Sequence, residues 1–280
     1  MTVKIISDSG SDISQEYAEK LGVRIIPLSF SFGEQEYFDG IDLSNDEFYQ
    51  KMKEEEELPK TSQITPYRYQ QVFEEETRDG SEAVYISISS GVSGSVQNAF
   101  LMAAKFKGQV RVFDSRQFCI SQRILVEYAK RLADEGCNAS QIIKKLEKAS
   151  EKVRIIAVFE TLENLKRGGR ISSTTAFVGE VLGIKLMITI TDGKVEVLGK
   201  AHGMKKGMKL MREYIEKEEI DLSMPYAFGY TGRDGTNMET FIAKNGDLYD
   251  GKTDIEVSRV GATVGTYAGD GAISAAYFVK

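Results

Sequence analysis

The chain has 280 residues, 36 Lys+Arg against 42 Asp+Glu for a net charge of −6, and 41% hydrophobic residues, which is room and apolar content enough for two packed lobes. An acidic balance excludes whole-surface attraction to nucleic acid or anionic lipid, and no apolar run reaches the roughly 20 residues a membrane helix needs. One histidine and two cysteines, Cys119 and Cys137 without a CxxC pair, argue against a zinc site and for reduced thiols in a cytoplasmic protein.

In chain order, Val3–Ser7 predicts a buried strand that ends in the polar loop Ser7–Asp12. Ser14 predicts a helix cap and Gly22 the stop. Val23–Phe32 predicts one strand, with Pro27 marking an edge or a bulge. Ser44 and Glu47 have capping-box spacing. The acidic run Glu54–Glu57 reads as a solvated helix face. A loop over Leu58–Pro66 follows, with Thr65 and Pro66 opening a helix.

The strand Ala83–Ile88 runs into Ser89-Ser90-Gly91-Val92-Ser93-Gly94-Ser95 and then a helix over 96–104. Two glycines, four hydroxyls and the first-turn amides of the next helix describe an anion pocket, or equally a strand-to-helix turn with serine caps. Val110–Phe113 is a further strand, helices over 118–135 and 140–150 follow with Ser140 as a cap, and Val153–Phe159 closes this half as its last strand.

Strands alternating with helices predict a doubly wound parallel sheet, whose loops after the strand ends gather on one edge. Ser7–Ser11, Ser89–Ser95 and Asp114-Ser115 fall there, with Thr61-Ser62 within reach.

Beyond this the pattern changes. A short helix over Leu162–Arg167 and a helix capped by Ser172–Thr175 through Leu182 precede Ile184–Thr191 and Lys194–Gly199, which flank the hairpin signal Asp192-Gly193. Met204–Lys217 is an amphipathic helix with Lys205, Lys209 and Arg212 on a solvated face. Strands are expected near 225–230, 254–258 and 272–279. The fold class is α/β: a three-layer domain over 1–157 with a second, two-layer α+β domain over 158–280.

Several chemistries fail on the residues. A serine hydrolase would need His202, the one histidine, as base for Ser93, with no orienting carboxylate near it in sequence. No glycine loop is followed by Lys-Ser or Lys-Thr, and no GxGxxG follows the first strand. Asp8, Asp12 and Asp39 match no calcium loop and read as turn and cap residues. What remains is a pocket of neutral hydroxyls and amides suited to a carboxylate or a phosphate.

At these residues the chain resembles the DegV family of bacterial fatty-acid-binding proteins, the acyl-carrying subunits of fatty acid kinase. The matching pieces are Ser7-Asp8-Ser9, Pro27-Leu28, Thr61-Ser62-Gln63, Ser89–Ser95, Asp114-Ser115 and Leu165-Lys166-Arg167-Gly168-Gly169-Arg170-Ile171. The resemblance implies a long-chain fatty acid such as palmitate held between two domains. Its carboxylate would be bound by Thr61 and Ser93, with Ser62, Gly94 and Ser95 shaping the site and Tyr267 counted among the carboxylate-binding residues. A separate ATP-dependent kinase would phosphorylate it, so the chain would be a carrier without catalysis, cofactor or metal of its own.

Two departures stand out. In Gly265-Thr266-Tyr267-Ala268-Gly269-Asp270-Gly271, Tyr267 stands where the family usually has His and Asp270 where it has Pro; His202 stands where members often carry Arg. Arg170 and His202 are further candidates for head-group or partner contacts, Arg170 equally for a brace at the domain junction. Phe30, Phe118, Ile120, Phe177 and Ile184 are candidates to line the tunnel, each also an ordinary core residue. Two other readings stay open: an enzyme or phosphoacceptor for a small carboxylate or phosphorylated ligand, and a fatty-acid-sensing regulatory module.

Overall fold

The computed structural model describes residues 3–171, 183–251 and 255–280. The helix expected from Ser172 to Leu182, and Phe177 with it, lies outside the described residues.

The first lobe opens with β1 (Val3–Asp8), α1 (Gln15–Leu21) and β2 (Arg24–Ile26). Ser14 Oγ accepts the Tyr17 N–H at 3.1 Å, and Gly22 ends the helix at φ 69°, a conformation that favours glycine. The run Val23–Phe32, expected as one strand, is two. Pro27 has no N–H for a ladder, and the chain leaves the parallel sheet there. The part before it, β2, is an edge strand. The part after it, β3 (Ser29–Phe32), pairs antiparallel with β4 (Gln35–Phe38) and with β5 (Lys60–Ser62) in a small separate sheet. The stretch 58–66, expected as loop, therefore holds a strand that fixes Thr61 opposite Phe30.

The capping boxes and caps build α2 (Asn45–Glu54) behind Ser44 and Glu47, and α3 (Pro66–Thr77) behind Thr65. Then come β6 (Glu82–Ser87), α4 (Ser95–Ala103), β7 (Val110–Asp114), α5 (Ile120–Asp134) and α6 (Ala139–Ser150). The α6 cap is Asn138, in a capping box with Gln141, and not Ser140 as expected; Asn138 reaches the third helical amide, which Ser140 is inside the helix to miss. The main sheet of this lobe runs β2-β1-β6-β7, every pair parallel. Period-two alternation covers its two faces: Ile5, Val84 and Ile86 pack with α5 and α6, while Ile6, Ala83 and Tyr85 pack with α3 and α4.

The second lobe contains β8 (Val153–Phe159), α7 (Glu163–Arg167), β9 (Ile184–Thr191), β10 (Lys194–His202), α8 (Met204–Ile215), β11 (Ala227–Tyr230), α9 (Thr236–Lys244), β12 (Val257–Arg259), α10 (Ala262–Ala268) and β13 (Ile273–Phe278). Its sheet order is β10-β9-β8-β13-β11-β12. β8 pairs antiparallel with both β13 and β9, so it is a central strand here and not the last strand of the first half, as expected. An apolar run covered on both faces reads the same in either sheet. Asp192 at φ 48° and Gly193 at φ 77° make the expected β9–β10 turn.

The helix α10 has no local signal, because its caps come from the other lobe. Asp39 Oδ1 and Oδ2 accept the Ala262 and Thr263 N–H groups at 2.9 and 3.1 Å, and Asp12 Oδ1 accepts that of Gly261 at 2.7 Å. Arg123 of α5 adds a buried bond to Ser258 Oγ at 2.5 Å while paired with Glu127. These contacts seat α10 against the serine-loop edge of the parallel sheet.

Candidate ligand site

The Ser89–Ser95 loop is held from three directions. The Ser89 N–H donates to Gln117 O at 2.8 Å, and the Val92 and Ser93 N–H groups turn back onto Ser89 O at 3.2 and 3.1 Å. Ser90 N–H donates to Asp114 Oδ1 at 3.2 Å. Ser89 Oγ donates to Gly193 O at 2.8 Å, tying the loop to the β9–β10 turn of the second lobe. The residue that caps α4 is Gly94 and not a serine; Ser93 Oγ accepts the Ser95 N–H at 3.3 Å and donates to Ser95 Oγ at 3.1 Å. A Cβ at Gly94 would run into the Gln63 carboxamide, so the glycine lets that side chain and the loop after β5 lie close against this one.

Between the lobes lies a cavity of about 360 Å³, within the range of small-molecule pockets. Thr61, Ser62, Ser93, Gly94, Arg170 and Tyr267 line its polar end. Thr61 Oγ1 and Tyr267 OH are 2.6 Å apart, joining β5 to α10 across 206 positions of sequence. The Arg170 guanidinium lies over the Tyr267 ring at 4.6 Å and donates to Gly168 O at 2.6 Å, both in its own lobe, and it lines the cavity. Ser95 sits behind Ser93, fully buried, and also accepts the Ile64 N–H at 3.3 Å.

Most of the remaining lining is apolar and includes Phe118, Phe159, Leu165, Ile188, Val195 and Val264. Of the tunnel candidates, Phe118 lines it. Phe30 is buried instead among Phe32, Tyr37 and Phe48, and Ile120 in the core beneath α5, as ordinary packing. Ile184 packs behind the wall with Phe159 and Leu165. Sequence reasoning passed over Val264, which shares a face of α10 with Tyr267 and Ala268 at helical spacing; without the helix, that spacing had no meaning.

His202 is exposed at the end of β10, its ring against Gly183, and does not line the cavity. The Ser93–His202 arrangement a hydrolase requires is not assembled. Arg212 of α8 bonds Asp247 and Glu216, and Lys209 pairs with Glu213 at 3.7 Å, so these two cations of the basic face are partnered within their own lobe. Asp8, Asp12 and Asp39 are buried hydrogen-bond acceptors at turns and caps. Burial pushes the Asp12 carboxyl up to about 8, opposed by the Gly261 amide, and pushes the neighbouring Cys119 thiol well up. Among the described residues no cluster of His, Cys, Asp and Glu is arranged to hold a metal ion, and no helix is long and apolar enough to cross a membrane.

The whole architecture recurs in solved proteins. A DegV family protein from Thermus thermophilus, described for its fatty acid binding, is 30% identical and matches 100% of both chains at a TM-score of 0.86. A stearic acid-binding protein from Eubacterium ventriosum is 30% identical over 99% of this chain and 98% of its own, at 0.85. The Fatty Acid Kinase (Fak) B3 protein of Streptococcus pneumoniae, loaded with linoleic acid, shares the fold at 0.85 over 100% of both chains with 22% identity. The DegV family model matches residues 2–280, and with that span covered the chain belongs to the DegV family.

Proposed function

We propose that this protein binds a long-chain fatty acid in the cavity between its lobes and presents the head group to a separate kinase, without catalysis of its own. The observation that carries this is the cavity's lining: mostly apolar side chains, with the hydroxyls of Thr61, Ser62, Ser93 and Tyr267 among them and Thr61 bonded to Tyr267 at 2.6 Å. Thr61 and Ser93 are the anchors in this reading, Ser62, Gly94 and Ser95 shape the end wall, and Tyr267 and Arg170 complete it. The fatty-acid-binding relatives at 30% identity support the ligand class. The phosphorylating partner is an expectation of the family resemblance.

A tail of roughly 15 buried carbons at ~0.8 kcal/mol each gains on the order of 12 kcal/mol, from which association takes back several. Donors at the head mainly offset the loss of water there. Tail length therefore sets affinity, and the hydroxyls set register. Denaturing extraction of the purified protein followed by mass spectrometry tests the ligand class: a co-purified long-chain acid is expected, and a short polar carboxylate or phosphorylated metabolite in its place would overturn it. Incubation with ATP, the extracted acid and the kinase of the same organism should then give acyl-phosphate.

A further inference from the structure

The β9–β10 hairpin is a wall with a cavity on each side. Ile188 and Val195 line the first cavity. Thr189 and Leu198 line a second, of about 470 Å³, bounded also by the Arg116–Gln117 loop of the first lobe and by α8, β8 and β13. Most hydroxyls of its wall are engaged: those of Ser115, Ser150, Thr189 and Tyr214 each donate to a backbone carbonyl. Two buried atoms are not. Tyr277 is fully buried and Gln117 is 7% exposed, yet Tyr277 OH and Gln117 Oε1 have no hydrogen-bond partner among the described residues. A buried polar group left unpaired is costly to a fold and calls for a partner. Burial pushes the Tyr277 phenol's pKa up, so it keeps a proton to donate, whereas the carboxamide oxygen of Gln117 can only accept.

Charge narrows the ligand further. Arg154 stands directly opposite Tyr277 across the β8–β13 ladder. Its Nη1 donates to the Glu151 and Val153 carbonyls at 2.9 and 3.0 Å, and its Nε is 3.8 Å from Glu218 Oε1, too far for a hydrogen bond. A cation and an anion side by side, each with bonding capacity left, and a hydroxyl donor next to them complement a ligand whose own opposite charges are as close together. The ammonium and carboxylate of an α-amino acid are such a pair. Gln117 belongs to the other end of the cavity. It adjoins the hairpin turn, where a Cβ on Gly193 would come 3.6 Å from the Arg116 Cα. In sheet order the hairpin's β9 is two strand spacings, about 10 Å, from β13. The ionised side chains of the lining are two cations, Arg116 and Arg154, against three anions, Glu151, Asp192 and Glu218, so a ligand of net charge +1 balances them.

We propose that the second cavity binds a basic α-amino acid, lysine or arginine, with its carboxylate on Arg154 and Tyr277, its ammonium on Glu218 and its side-chain N–H donors on Gln117 Oε1. The apolar stem of that side chain would lie along Ile156, Ile190 and Leu198. None of the four polar residues lines the first cavity, so either site can fail without the other.

The experiment is calorimetric titration of the full chain with L-lysine and, separately, with L-arginine. L-norleucine, which lacks the side-chain donor, and 1,5-diaminopentane, which lacks the carboxylate, are the controls. L-lysine or L-arginine should bind with a Kd of about 1 mM or tighter, and both controls at least about tenfold more weakly. The tighter of the two amino acids names the ligand. Tyr277→Phe should raise its Kd about tenfold without lowering the melting temperature of the ligand-free protein, because the hydroxyl removed has no partner in the fold. A hydroxyl that served the fold would instead lower the melting temperature and leave the Kd alone, which overturns the assignment. Glu218→Gln, on a side chain 40% exposed, should raise the Kd severalfold and decides the matter if Tyr277→Phe does not fold. No heat with either amino acid means that the cavity holds water only, and overturns the proposal. L-norleucine binding as tightly as L-lysine and L-arginine, or an unchanged Kd in both variants, overturns it too.

Discussion

The two lobes solve different problems at the same cavity. The first lobe contributes hydroxyls on loops and on β5: Ser93 is bonded within its own loop to Ser95 at 3.1 and 3.3 Å, and Thr61 reaches across to Tyr267. The second lobe contributes side chains on an antiparallel hairpin and on α10, mostly apolar ones such as Ile188, Val195 and Val264, together with Tyr267 and Arg170 at the polar group. Polar groups are directional and must be preorganised; apolar ones need only be present and dry. The contrast predicts that changes on the second lobe alter how much is bound, and changes on the first alter what is bound.

The largest effect should come from filling the apolar end. Val195→Trp, on a half-buried hairpin position, would displace about four methylenes of the tail at ~0.8 kcal/mol each, so palmitate affinity should fall on the order of 100-fold. Displacement of a fluorescent fatty acid measures it. An acid about four carbons shorter should recover most of the loss. If short and long acids suffer alike, the hairpin does not wall the tail.

Removing the head-group hydroxyls comes next. Thr61→Val with Ser93→Ala should weaken a fatty acid by ~1–2 kcal/mol, roughly tenfold, and barely touch the methyl ester of the same chain. Each change keeps the local volume close to the original. Unchanged acid affinity in the double variant would remove Thr61 and Ser93 from the head-group role. Gly94→Ala should have a smaller effect. Its added Cβ meets the Gln63 carboxamide, the far end of a side chain that can shift, so a several-fold loss of affinity with little loss of thermal stability is expected. A collapse of stability instead would mark Gly94 as a folding residue.

The same contrast explains what the amino-acid sequence disclosed. The first lobe is written locally: Ser14, Ser44 with Glu47, and Thr65 with Pro66 open the helices they announce, because a cap and its amides lie within three residues. The Asp192-Gly193 turn is equally local. What stayed hidden depends on distant partners. The Thr61–Tyr267 contact spans 206 positions, and α10 is capped from the other lobe. β8 declares itself a strand, but which sheet claims it is decided by β9 and β13. Pro27 signalled an interruption, while the new sheet beyond it had no local mark. Six of the candidate site residues meet at the polar end of one cavity, Ser95 lies just behind, and His202 lies outside it.

The smallest expected effect tests the seam between the lobes rather than the cavity. Asp12 reaches across to the Gly261 amide at 2.7 Å, and its other oxygen is buried with no hydrogen-bond partner closer than the neighbouring Cys119 thiol among the described residues. An ionised oxygen so placed is costly, which is why burial lifts this carboxyl to about 8 from 3.8. The folded protein therefore binds a proton that the unfolded chain has released across that window. Stability from this group is complete below about pH 4 and is lost as pH rises through about 8. Asp12→Asn keeps the acceptor for Gly261, stays neutral at every pH, and suits the left-handed backbone at φ 52°. Thermal melts should coincide for the two proteins near about pH 4, and the variant should be more stable by roughly 5 °C near about pH 9. Asp8 and Asp39, also raised by burial, remain in both proteins; Asp39, whose charge adds to the rise of Asp12, is relieved of that repulsion in the variant and works in the same direction. A variant that melts lower at every pH would mean that Asp12 serves the seam as a charge, and the α10 contact with the first lobe would then be electrostatic rather than a hydrogen-bonded cap.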